Sequence, residues 1–168
     1  MQTLKIKLGN IFLLDSELNG MTQPAQQSNS AETEQPSEPT VILKGLINEI
    51  LPLSTKFWLL ELNKELQPIK ESINSLREEL IKKYGTVTED GAIFIPVYKK
   101  DSEVYDETGN VIEAEVSEEY TNFQTEFSTL LSEEKEIKYM PISLSVLDKI
   151  ETDKSYSFIL QNLIEKPE

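Results

Sequence analysis

Leu59-Leu60-Glu61-Leu62-Asn63-Lys64-Glu65-Leu66-Gln67-Pro68-Ile69-Lys70-Glu71-Ser72-Ile73-Asn74-Ser75-Leu76-Arg77-Glu78-Glu79-Leu80 is the stretch on which the fold turns. Leu59, Leu62, Leu66, Ile69, Ile73, Leu76 and Leu80 follow one another at steps of 3, 4, 3, 4, 3 and 4. That rhythm places them on one face of an α-helix, and such a face must be covered. Pro68 stands inside it. A proline there removes one backbone hydrogen bond and meets the carbonyl of Lys64, at a cost of about 3 kcal/mol. Leu66 and Ile69 keep the rhythm across it, and Glu65-Leu66-Gln67-Pro68-Ile69 offers no polar turn. The spacing therefore predicts one kinked helix and not a hairpin of two. Ser54 or Thr55 is placed to cap its start. Lys82 and Lys83 suit its negative end, and Gly85 is placed for a left-handed cap. Such a helix is about 48 Å long.

Upstream, Leu4, Ile6 and Leu8 alternate with Thr3, Lys5 and Lys7, which reads as a half-buried strand over 3–8. Gly9-Asn10 breaks it, and Ile11 to Leu18 suits a short helix. Residues 19–40 are rich in Gln, Ser, Glu, Thr and Pro, with no large apolar residue between Met21 and Val41. Such a segment has little to bury, so it reads as a flexible insertion. Val41 to Leu51 resumes the apolar pattern as a short helix ending at Pro52.

Downstream, Glu89-Asp90-Gly91 is a turn before the β-rich run Ile93 to Tyr98, whose Pro96 marks a sheet edge. Thr108-Gly109-Asn110 turns between Val104-Tyr105 and Val111-Ile112. Ser117 can cap a helix over 118–132 with Tyr120, Phe123, Phe127 and Leu130 on one face. Ile137, Tyr139, Ile142 and Leu144 read as a last extended segment bent at Pro141. A terminal helix over 155–165 starts at Asp153 or Ser155. The expectation is a single α+β domain: a long kinked amphipathic helix, two or three shorter helices and a small antiparallel β element.

The composition excludes much. The 168 residues carry 30 acidic and 16 basic side chains, a formal charge of -14, and 38 % hydrophobic residues. A surface of that charge repels phosphates, so direct nucleic-acid binding is not expected. No polybasic or long apolar segment points to a membrane, and the opening Met1 to Lys5 does not resemble a signal peptide, so the expectation is an intracellular protein. There is no Cys and no His. Thiolate and imidazole nucleophile or base chemistry is therefore excluded, as are Cys- or His-ligated metals. Carboxylate chemistry with a divalent cation survives as an option. Asp101, Glu103, Asp106 and Glu107 near Gly109 lack the ligand spacing of a calcium loop, and no phosphate-binding glycine loop is present. No catalytic, cofactor-binding or metal-ligating residue is assigned.

Three features bear on contact. The long stripe is either an oligomer or partner face, or is packed by the chain's own helices. Phe57 and Trp58, adjacent on that helix, face about 100° apart, so one belongs to the core and the other is free to anchor a partner. Residues 103–136 contain eleven acids, among them Glu113, Glu115, Glu118 and Glu119, against the single base Lys135. That run is either an imitation of DNA phosphates or a solvated face, with Glu118 and Glu119 favoured at a helix start.

Four stretches together resemble a known class. They are Leu4-Lys5-Ile6-Lys7-Leu8 with Asn10, Ile11, Leu13 and Leu14; Lys44-Gly45-Leu46-Ile47 with Glu49, Leu51-Pro52-Leu53, Thr55-Lys56 and Trp58; Glu78 to Gly85; and Phe123-Gln124, Glu126-Phe127, Leu130-Leu131 and Glu133-Glu134 with Glu136-Ile137, Pro141-Ile142 and Leu144. The pattern resembles a widespread class of small, acidic, uncharacterised proteins encoded by tailed bacteriophages and prophages. The likeness omits 19–40 and is loose over 99–112. It implies a viral origin, in the cytoplasm of an infected bacterial host or in the virion. It also implies a place among virion-assembly, structural or host-takeover proteins. The expected function is non-enzymatic protein–protein contact in virion assembly or structure, with a phage or host protein or a second copy as partner. The alternatives are an acidic DNA mimic that takes over or disarms the host, and an enzyme using carboxylates with a divalent cation.

Overall fold

The computed structural model describes residues 1–23, 40–100, 102, 104–105, 107–109, 111–148, 150 and 156–165, with the side chains of 22–23, 40–43 and 111–113 outside the description. The fold is α+β. By contacts the chain forms two compact units, one from Met1–Pro68 with Glu134–Glu168 and one from Ile69–Glu133. The helix α2 (Leu53–Tyr84) runs uninterrupted through Pro68 and supplies residues to both.

In the first unit, β1 (Gln2–Lys7) pairs antiparallel with β8 (Glu134–Tyr139), with Leu4 opposite Ile137 and Lys5 opposite Glu136. Alternation sorts the faces: Ile6, Ile137 and Tyr139 are buried, while Thr3, Lys5, Lys7, Glu134, Glu136 and Lys138 are exposed. The helix α1 (Leu8–Asn19) follows β1 directly and buries Ile11, Leu14 and Leu18, one face at steps of 3 and 4. Two short strands, β2 (Met21–Gln23) and β3 (Thr40–Leu43), pair antiparallel. The expected flexible insertion over 19–40 thus has strands at its two ends, and its 24–39 portion lies outside the described residues.

The helix expected over Val41 to Leu51 does not form. Thr40, Val41 and Ile42 are β-branched and pair as a strand. Gly45 then takes a φ of 78°, and a 3-10 turn at Leu46–Asn48 buries Leu46 and Ile47. A Cβ at Gly45 would collide with the backbone of Asn19 and Gly20, so glycine is required there for both space and conformation. Nor do Ser54 and Thr55 cap α2. It starts at Leu53, and the carbonyl of Pro52, whose φ is fixed near the helical value, accepts the Lys56 N–H at 2.9 Å.

Ile142, expected in an extended segment with Leu144, forms an isolated parallel bridge with Ile164, and Leu144–Leu147 is a helical turn, α4. The terminal helix α5 is only Ser157–Asn162. Its expected starts at Asp153 and Ser155 lie outside the described residues. The carboxylate of Glu17, 2 % exposed, accepts the backbone N–H groups of Phe158 and Ile159, each at 2.9 Å, and the Ser157 hydroxyl at 3.2 Å. A side chain of α1 thereby satisfies the orphan donors of α5.

In the second unit, β4 (Thr86–Val87) and β5 (Ile93–Phe94) form a ribbon across the Glu89-Asp90-Gly91 turn. The strand expected from Ile93 to Tyr98 stops at Phe94, and Tyr98 makes a single bridge to Val116. A second ribbon pairs β6 (Val104–Tyr105) with β7 (Val111–Glu113). The helix α3 (Glu118–Ser132) starts as expected at Ser117, whose hydroxyl accepts the Tyr120 N–H at 3.1 Å and donates to the Pro96 carbonyl. Phe123 is buried and its ring stacks on Phe127 at 5.7 Å. Gly85 is not left-handed. Its lack of a side chain serves close approach: a Cβ would strike the Ile81 carbonyl and the Ile93 side chain. Of the long stripe, Leu59, Leu62, Leu66 and Ile73 are buried, Ile69 and Leu80 are half-buried, and Leu76 is exposed.

Candidate functional site

The first turns of α2 carry two apolar rows. Leu59, Leu62 and Leu66 form the buried one. Leu53, Phe57 and Leu60 form the other, at steps of 4 and 3, within an arc of about 60° on the opposite side of the helix. Leu53 is 86 % and Phe57 53 % exposed, and Ile50, just before the helix, is 94 % exposed. The Phe57 ring meets the Trp58 ring edge to face, with centroids 5.1 Å apart and planes at 77°. Of that pair Phe57 is the exposed member, while Trp58 is half-buried on the flank of the covered stripe. Trp58 lines two shallow clefts. One, of about 280 Å³, is shared with Ser54, Thr55, Pro141 and Val146. The other, of about 340 Å³, is shared with Glu61, Lys64, Lys138 and Tyr139. The spacing of Leu53, Phe57 and Leu60 is the signal that reveals the outer row. It is masked in the sequence by the stronger, longer stripe on the other face.

Phe57 and Trp58 belong to the first unit, and Glu113, Glu115, Glu118 and Glu119 to the second. Glu113 lies in β7, with its side chain outside the described residues. Glu115 is held by Lys99, whose ammonium lies 2.8 Å from its carboxylate. That hydrogen bond holds the Glu115 carboxyl below the usual carboxylate range and raises Lys99. Glu118 and Glu119 are exposed in the first turn of α3, where the helix dipole favours acids. Further along α3, Glu126 accepts from Lys83 at 2.7 Å and from the Tyr84 hydroxyl at 2.5 Å. These two donors, Lys83 first, lower the Glu126 carboxyl, and the same bond raises Lys83. The Lys83 ammonium also lies 4.7 Å from the Tyr84 ring centre. Glu115 and Glu126 of the acidic segment are thus paired with lysines from outside it.

Among the described residues no three acidic side chains are grouped to hold a metal ion, and no helix is long and apolar enough to cross a membrane. No family model, no curated protein and no solved structure matches this chain.

Proposed function

We propose that this chain acts by protein–protein contact and not by catalysis, as a small assembly or structural protein of a tailed-phage virion. Its contact face is the outer side of α2's first turns. One observation carries the reading: Leu53, Phe57 and Leu60 form an exposed apolar row back to back with the buried row of the same helix. Exposed apolar residues scattered singly need no explanation, but a contiguous row centred on an aromatic ring is the material of interface cores. The viral placement rests on the resemblance of the four sequence stretches quoted above. The mimic reading has less support. A phosphate imitation needs its carboxylates free for a basic partner, and Glu115 and Glu126 already hold Lys99 and Lys83.

The test is size-exclusion chromatography with light scattering on the full chain, alone and mixed with the capsid and tail proteins of the same genome. Wild type shows self-association or a complex. Phe57→Asp abolishes it while leaving stability within about 0.5 kcal/mol, because the ring is on the surface. Association untouched by Phe57→Asp, or a wild type that stays monomeric against all of those proteins, overturns the reading.

A further inference from the structure

Among the described residues the sheet of β1 and β8 has only two strands, and no other strand pairs with the outer edge of β1. The phase of its hydrogen bonds is fixed by one contact. The Lys138 N–H points away from β1 and donates to both carboxylate oxygens of Glu65, at 3.3 Å each. In an antiparallel ladder the residue opposite an outward-pointing one also points outward. Thr3 lies opposite Lys138, and Lys5 lies two residues further along, opposite Glu136. Thr3 and Lys5 therefore present both N–H and C=O to the open side of β1. The opposite edge of the sheet is occupied at Lys138 by Glu65, whereas this one carries an unused template for another strand.

The side chains along that edge state what fits. Thr3, Lys5 and Lys7 are exposed and share the outer face. The row has lysines and no acid, in a chain with 30 acids and 16 bases. Lys5 has Glu136 and Lys7 has Glu134 across the ladder; the first pair is 3.8 Å apart with both side chains about two-thirds exposed, and such solvent-screened partners leave a lysine's charge available to a neighbour on the other side. A second copy offers these lysines no counter-charge: antiparallel pairing of β1 with itself about Lys5 sets Lys5 against Lys5, which is destabilising, and pairing about Leu4 sets Lys5 opposite Thr3. We infer that the open edge of β1 receives an extended segment of a partner protein with acidic side chains at every second position. Main-chain hydrogen bonds to Thr3 and Lys5 supply the affinity, and the acids opposite Lys5 and Lys7 select the sequence. This surface is distinct from the Phe57 face, and neither depends on the other.

The experiment uses the full chain and the peptide acetyl-Thr-Glu-Val-Glu-Val-Glu-Thr-amide, with its Lys-for-Glu counterpart as control, followed by amide NMR and hydrogen exchange. The acidic peptide protects the Thr3 and Lys5 amides and leaves Leu4 and Ile6, already bonded to β8, unchanged; the lysine peptide does neither. Lys5→Glu with Lys7→Glu raises the dissociation constant about tenfold or more, since two cross-strand attractions become repulsions. Lys5→Pro removes an N–H that β8 does not use and abolishes binding. Equal binding of both peptides, protection elsewhere but not at Thr3 and Lys5, or unchanged affinity in the Lys5→Glu/Lys7→Glu variant overturns the inference.

Discussion

Ile11, Leu14, Leu18, Leu46, Leu66, Ile137, Ile159 and Leu163 are all fully buried, and all belong to the first unit. The second unit, Ile69–Glu133, buries Ile73 and Phe123 among its described residues, while Val87, Phe94, Tyr98, Val104, Tyr105 and Val116 stay exposed. The two are therefore held by different forces. In the first, sheet, helix faces and the C-terminal segment close on a shared apolar interior, and burial supplies the stability. In the second, two short ribbons and a capped helix are fixed by local bonds: Ser117 to Pro96 and Tyr120, Lys99 to Glu115, Lys83 and Tyr84 to Glu126. Two-stranded ribbons are marginal by themselves, and solvent-exposed bonds of that kind hold far less than the burial of a shared apolar core. The second unit should open locally at lower free energy than the first.

The sharpest way to break this contrast is a pair of truncations on one helix. Leu66→Ala empties a fully buried site and should cost about 2–5 kcal/mol in urea denaturation. Leu76→Ala, on the same stripe but exposed, should cost less than about 1 kcal/mol. Equal losses would mean that the second unit has a core of the same quality as the first.

A pair of caps sharpens it further. Glu17→Ala leaves the Phe158 and Ile159 N–H groups without their buried acceptor, for a loss of about 1–3 kcal/mol. Hydrogen exchange should rise over Ser157–Asn162. Ser117→Ala removes one cap, at about 1 kcal/mol, and its faster exchange should be confined to the start of α3. If Ser117→Ala unfolds the whole chain as readily as Glu17→Ala does, the local character assigned to the second unit is wrong.

Periodicity carried most of the architecture. The 3/4 rhythm across Pro68 specified one helix because a frame shift would have moved Leu62 and Leu66 off the face of Ile73. Ser117 was legible because a hydroxyl before Glu118-Glu119 has one strong local use. What escaped was tertiary. Val41 to Leu51 suits a buried helix or strand equally, and only pairing with Met21–Gln23 decides. Gly85 looked like a cap, yet what it avoids is the side chain of Ile93, which no local pattern reveals. Burial of Glu17 is invisible in a sequence, because its partners lie some 140 residues away. Of the candidate contact residues, the adjacency of Phe57 and Trp58 on one helix was plain; that their rings meet, and which of them faces outward, was not. The helical wheel alone puts Leu53, Phe57 and Leu60 together, but exposure of that row follows only once the other stripe is known to be the covered one.

The smallest expected effect is electrostatic and tests whether the second unit's ion pairs matter at all. Hydrogen bonds from Lys83 and then Tyr84 hold the Glu126 carboxyl below its unfolded value. A lowered carboxyl contributes stability that is fully present above the unfolded carboxylate range and is lost as pH falls through the folded, lower value. Lys83 is raised by the same pair, so its part is present below the ordinary lysine value and fades as pH rises through the raised one. Between these limits the contribution is flat. Both side chains are about half exposed, so salt should weaken it. Glu126→Gln removes the carboxylate. Thermal melts of wild type and variant should therefore differ most near neutral pH and converge on acidification. Curves that stay parallel through the carboxylate range would show that the pair does not hold α3 to the end of α2, and would leave Ser117 and the stacked Phe123 and Phe127 to do so.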